Sequence, residues 1–189
     1  MNHLKVYRVL QQLKSHDQHV EFTLVGGTAL YFIGLRTTLT DIDIFLSHPL
    51  KIDIGGKEKV DLMDPSMLNR FAAAPTEFLP WEWSFDNANG HWVDDIFVKI
   101  PDPVHLYLMK LKAAYDRLAF LEHYPDLPRP LLKEKLRRDL SDIDCLRMTF
   151  PDEIQHAALQ HLTNQLAPGP RLLMQSYLLQ RLPSYEEVI

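Results

Sequence analysis

The chain has 189 residues, 46% of them hydrophobic, and a formal net charge of −5. That length and apolar content support one sizeable core, or a core domain with a smaller helical addition, and the acidic balance excludes a globally basic nucleic-acid binder. The single cysteine, Cys145, excludes an intrachain disulfide framework, and with no basic-then-apolar leader and no run of about 18 apolar residues the expected setting is soluble and cytoplasmic, with no membrane.

Leu4, Tyr7, Leu10 and Leu13, with Val6 and Val9 beside them, predict an amphipathic helix over residues 3–15. Val20 to Val25 is β-branched and apolar and reads as a strand, ended by Gly26-Gly27. Thr28 is the expected cap of a short helix over Ala29–Gly34, and a Thr-rich loop containing Arg36 follows. Asp41 to Leu46 alternates acid and apolar residues, the period of a strand. Leu50–Ile54 and Lys57–Met63 flank Gly55-Gly56 and predict a β-hairpin. In that hairpin Asp61 shares a face with Lys57 and Lys59.

A short helix is expected at Pro65–Ala74. A second hairpin is expected from Trp81–Asp86 and His91–Ile100 around Asn87-Ala88-Asn89-Gly90. From Pro101 the pattern turns helical. Asp102 with Pro103 opens a long helix to about Glu122. A second helix covers Leu131–Met148, a third starts at Pro151 and a last one covers Arg171–Leu182. The expected division is a core over 1–102 and a helical C-terminal part over 103–189, packed together as one unit.

The chemistry concentrates in Leu24–Asp64. Carboxylates at i and i+2 of a strand project to one face, so Asp41 and Asp43 form an acidic pair. A third acid on an adjacent strand, Asp61 with Asp53 as its rival, would complete a set of hard oxygen ligands suited to Mg²⁺ or Mn²⁺. Gly26-Gly27 lets the backbone approach a triphosphate, and the N-terminus of the following helix faces it with free amides. Arg36 is positioned for a phosphate contact or a carboxylate clamp.

Gly26-Gly27, thirteen intervening residues and Asp41-Ile42-Asp43 resemble the signature of polymerase-β-like nucleotidyltransferases. Gly26-Gly27-Thr28-Ala29-Leu30, Arg36 and Asp41-Ile42-Asp43-Ile44-Phe45 resemble, within that superfamily, the AbiEii-type toxin group. Lys110-Leu111-Lys112-Ala113, continuing to Arg117, and Arg138-Asp139-Leu140-Ser141-Asp142 match that group's second region in order and separation. The resemblance spans roughly 22–64 and 104–146.

It implies an α+β fold: a small mixed sheet flanked by helices, with a helical C-terminal part. It also implies metal-dependent transfer of a nucleoside monophosphate from an NTP to a hydroxyl-bearing acceptor. An RNA such as the tRNA 3′ end is the first expectation for that acceptor, and a protein hydroxyl the second. By the same resemblance the chain is the toxin of a toxin–antitoxin or phage-defence pair, with a cognate antitoxin as partner. Asp41 and Asp43 would be metal ligands, Gly27 and Thr28 would contact the triphosphate, Lys110 would meet phosphate charge, and Asp139 would orient Lys110 or the acceptor. Only 17 residues separate Asp43 from Asp61, where many members of the superfamily place a helix.

Plainer readings stand beside these. Lys110 and Asp139 also read as a helix–helix ion pair. Lys133, Lys135, Arg137 and Arg138 read as a solvated helix face or an RNA surface. Trp81, Trp83 and Trp92 are expected in core packing or as cover for the sheet rather than as a base-stacking platform, and Cys145 is expected to be a buried thiol. An aminoglycoside-type small-molecule transferase and a non-catalytic nucleotide- or partner-binding module are the competing functions.

Overall fold

The structure is a computed structural model that describes residues 2–54, 59–65, 88–124, 128–150, 154, 156–158, 160 and 182–183. The Gly55-Gly56 turn with Lys57, most of the helix expected at Pro65–Ala74, the strand Trp81–Asp86 with its two tryptophans, and nearly all of the last helix lie outside them. The chain falls into two compact units; among the described residues the first ends at Asp102 and the second begins at Pro103.

The first unit is built on helix α1 (Asn2–His16), strand β1 (Phe22–Leu24), helix α2 (Gly26–Phe32) and strands β2 (Ile42–Leu46), β3 (Val60–Met63), β4 (Ala88–Val93) and β5 (Ile96–Pro101). The strands form one mixed sheet in the order β3-β2-β1-β5-β4. The pairs β1–β2 and β4–β5 are antiparallel, whereas β2–β3 and β1–β5 are parallel. The architecture is therefore α+β with a mixed sheet, as expected.

α1 buries Val6, Val9, Leu10 and Leu13. Leu4 is exposed and Tyr7 half-buried, so the buried stripe joins Leu10 and Leu13 of the spacing-three series to Val6 and Val9 beside them. Ile42, Ile44 and Leu46 alternate inward along β2, and Phe22, Leu24, Val98 and Ile100 join them in the core. Each fully buried side chain of this size contributes roughly 1.5–3 kcal/mol. That inward row forces Asp43 and Phe45 to the opposite side of the sheet, where they are half-buried.

Two expected hairpins are corrected. Residues 50–54 form no strand, and Val60–Met63 pairs with β2 in parallel. A hairpin cannot deliver a parallel neighbour; a crossover of a dozen residues or more can, and 47–59 provides it. The second hairpin turns at Asp94-Asp95, not at Asn87–Gly90, whose last three residues belong to β4. Asp94 takes a positive φ of 54°, a conformation that Asp tolerates better than most residues.

The second unit contains α3 (Pro103–His123) and α4 (Arg129–Thr149), and the chain is helical again at 154, 156–158 and 160. α3 buries Leu106, Tyr107, Leu108, Leu111 and Ala114, and α4 buries Leu136, Leu140, Ile143 and Leu146. Among the described residues no helix is long and apolar enough to cross a membrane.

Candidate functional site

Asp43 is held from three directions. Its carbonyl accepts the Val25 amide at 3.2 Å. Its own amide donates to Thr28 Oγ1 at 2.9 Å, and its Oδ2 accepts the Gly27 amide at 3.1 Å. The carboxylate thus stands at the first turn of α2, where an anion is favoured. Thr28 is consequently not the cap. It lies inside α2, fully buried, and the N-cap position is Val25, which makes no side-chain cap bond. The Gly27 amide, expected to face a phosphate, faces Asp43.

The glycine pair is explained by close approach. Gly26 has φ +54°, and a Cβ there would collide with the Asp43 carboxylate. A Cβ on Gly27 would collide with the Arg36 guanidinium. The two glycines therefore let Asp43 and Arg36 reach the strand–helix turn from β2 and from the loop before it.

Asp41 precedes β2 and accepts from Thr40 Oγ1 at 2.9 Å. Across the parallel pairing, Asp43 stands opposite Asp61. Asp41, Asp43 and Asp61 each offer a carboxylate oxygen, and the three atoms lie within 4.8 Å of one another. Asp53, the rival third acid, is exposed in the connection and is not a member of this group. The donor set is all carboxylate, which fits a hard divalent cation such as Mg²⁺ or Mn²⁺ rather than zinc.

Lys59 meets Asp61, whose face it shares in the sequence pattern, and it also meets Asp41, a contact that comes only from the pairing of β2 with β3. Its Nζ lies 3.5 Å from Asp41 Oδ2 and 3.4 Å from Asp61 Oδ2. Partial burial pulls the Lys59 ammonium down, but Asp61 and then Asp41 outweigh it and hold the group above its ordinary value.

Lys110 and Asp139 belong to the second unit, where they meet each other. Lys110 Nζ is 2.9 Å from Asp139 Oδ1 and 2.7 Å from Asp142 Oδ2, and Arg117 closes on Asp139. All three of Lys110, Asp139 and Asp142 are buried. The second acid has a sequence signal: Asp142 follows Asp139 by three residues and so shares its helix face. Two residues after Lys110, Lys112 Nζ and Asp116 Oδ2 are 2.6 Å apart. Burial pushes the Lys112 amine down and the Asp116 carboxyl up, each partly offset by the other.

Two plainer expectations are narrowed. Trp92 is not in the core: it is 67% exposed and meets Phe97 edge-on at 5.3 Å between centroids, because β4–β5 turns this pair outward. Cys145 is half-buried rather than buried.

No protein-family model matches the chain, and no curated protein matches it. Among solved structures, it is similar to an antigenic nucleotidyltransferase-like protein from Paracoccidioides brasiliensis. The two are 11% identical with a TM-score of 0.48, over 98% of this chain and 95% of that one.

Proposed function

We propose that the chain is a metal-dependent nucleotidyltransferase that moves a nucleoside monophosphate from an NTP to a hydroxyl-bearing acceptor. The observation that carries this reading is the gathering of Asp41, Asp43 and Asp61 within 4.8 Å beside the Gly26-Gly27 turn. Asp41, Asp43 and Asp61 would hold Mg²⁺ or Mn²⁺. A divalent ion there would neutralise triphosphate charge and lower the pKa of the acceptor hydroxyl.

The chain's own residues supply the rest. Asp43 is fixed by Gly27 and Thr28, so its carboxylate needs little reorganisation to serve as a ligand. The backbone at Gly26-Gly27 leaves room for close approach, and the Arg36 guanidinium beside it brings positive charge to the same turn. Lys110 and Asp139 enter this reading as the pair that fixes α3 against α4, in keeping with their burial and mutual contact.

An RNA 3′ end, tRNA first, is the proposed acceptor, and the proposed setting is the toxin of a toxin–antitoxin or phage-defence pair. The motif resemblance in both regions of the chain supports that choice. The direct test incubates purified protein, Mg²⁺ or Mn²⁺ and each α-labelled NTP with tRNA, with protein and with small hydroxyl compounds. Label should pass to tRNA with the wild type and not with Asp43→Ala; no transfer to any acceptor sinks the enzyme reading. Induction in bacteria tests the toxin role: growth arrest is expected with the wild type and not with Asp41→Ala.

A further inference from the structure

We propose that Lys59 is a built-in counter-cation that competes with the divalent ion for Asp41 and Asp61, and so couples metal uptake to nucleotide arrival. The inference rests on the metal-site reading above. Lys59 Nζ sits on Oδ2 of Asp41 and Oδ2 of Asp61, at 3.5 and 3.4 Å. Those carboxylates supply two of the three oxygens gathered within 4.8 Å. An ion held by both carboxylates would share them with the ammonium, placing two positive charges beside the same pair of acids. Like charges so close repel strongly even at high dielectric, enough to weaken metal binding about ten-fold.

The lysine is built to give way. Its backbone is anchored, because its carbonyl accepts the Ile42 amide at 2.9 Å. Its side chain is 55% exposed, against 45% for Asp61 and only 21% for Asp41. The Asp41 carboxylate therefore stays, the shorter Asp61 side chain is held by its strand, and the ammonium, at the tip of a four-carbon stem, swings into water or towards another anion. A triphosphate is such an anion. When it arrives with its own negative charge, Lys59 exchanges two carboxylates for phosphate oxygens, and Asp41 and Asp61 are released to the ion. Metal and nucleotide then bind more tightly together than separately, a coupling that must be reciprocal.

The test measures Mn²⁺ binding to the full chain after chelation. Electron paramagnetic resonance is recorded at low salt without nucleotide, and then with a non-hydrolysable NTP analogue. Without nucleotide, Lys59→Met should tighten Mn²⁺ about ten-fold, and Lys59→Arg should bind like the wild type. With the analogue the gap between wild type and Lys59→Met should narrow. Equal or weaker binding by Lys59→Met overturns the proposal, as does tightening by Lys59→Arg, since only loss of charge is expected to matter. Lys59→Gln serves as the second neutral variant if Lys59→Met fails to fold.

Asp43→Asn separates the two readings. If it binds Mn²⁺ like the wild type, or if no variant binds at all, the metal-site reading fails and takes this proposal with it. If Asp43→Asn abolishes binding while Lys59→Met leaves it unchanged, the counter-cation role alone is wrong.

Discussion

The Gly27 amide and the Asp43 carboxylate meet at 3.1 Å, so the first turn of α2 and the middle of β2 hold each other in place. Asp43 is positioned by a helix terminus rather than by solvent. The approach of Asp43 leaves no room for a Cβ at Gly26, as the Arg36 guanidinium leaves none at Gly27.

Gly26→Ala should be among the most damaging substitutions in the first unit. The residue has φ +54°, which costs an alanine roughly 1–2 kcal/mol, and the new Cβ also collides with the Asp43 carboxylate. A total loss of about 3 kcal/mol is expected in urea denaturation. Gly27→Ala lacks the positive φ and instead displaces Arg36, so it should cost less stability and weaken nucleotide binding more.

Asp61→Asn and Asp53→Asn decide the third acid. Loss of a charged ligand from the carboxylate set should weaken Mn²⁺ binding at least about ten-fold, the lower end of effects at such sites. Calorimetric titration should show that loss for Asp61→Asn and no change for Asp53→Asn, whose carboxylate is exposed and outside the group.

Lys110→Met should act on folding. The Lys110 side chain is 11% exposed and stands between Asp139 and Asp142. Removing it leaves buried carboxylates short of a partner, at a cost of about 3–5 kcal/mol. The double variant Lys110→Met with Asp142→Asn should recover part of that in guanidinium denaturation. Unchanged stability with lost nucleotide binding would instead make Lys110 a phosphate ligand.

A pH-dependent contribution is expected from Asp17, whose Oδ2 lies 2.8 Å from His48 Nε2. The His48 hydrogen bond first, and the His19 amide second, hold the Asp17 carboxyl below its ordinary value. A depressed folded-state pKa adds stability above the unfolded value and loses it as pH falls through the folded one. Asp17→Ala should therefore be less stable than the wild type at pH 7, and the difference should close below about pH 4. Urea midpoints across that range measure it.

Local patterns made α1, β2, α3, α4 and the acid pair legible, because hydrophobic period and capping residues act within a few positions. Strand partners were not legible in the same way. Gly55-Gly56 carries a strong hairpin signal, yet Val60–Met63 finds β2, a partner that no short-range pattern specifies. The turn lies at Asp94-Asp95, closed by the pair Val93↔Ile96, whereas Asn87–Gly90 has the richer turn composition. Lys59 bridges Asp41 and Asp61 only because β2 and β3 run side by side, which brings the residue just before β2 close to the start of β3. The exposure of Trp92 likewise follows from the register Trp92↔Phe97, which depends on where the hairpin turns.

The parallel pairing of β2 with β3 has a consequence for how this chain tolerates insertions and deletions. Asp43 and Asp61 are aligned by the ladder itself, not by the 47–59 connection. Lengthening that connection by a few residues adds only a small loop-closure cost and leaves the acids facing each other. Deleting a single residue within Val60–Met63 would turn Asp61 to the opposite side of the sheet. Homologues should therefore vary freely in the spacing between their second and third acids, while the tripeptide around each keeps its length.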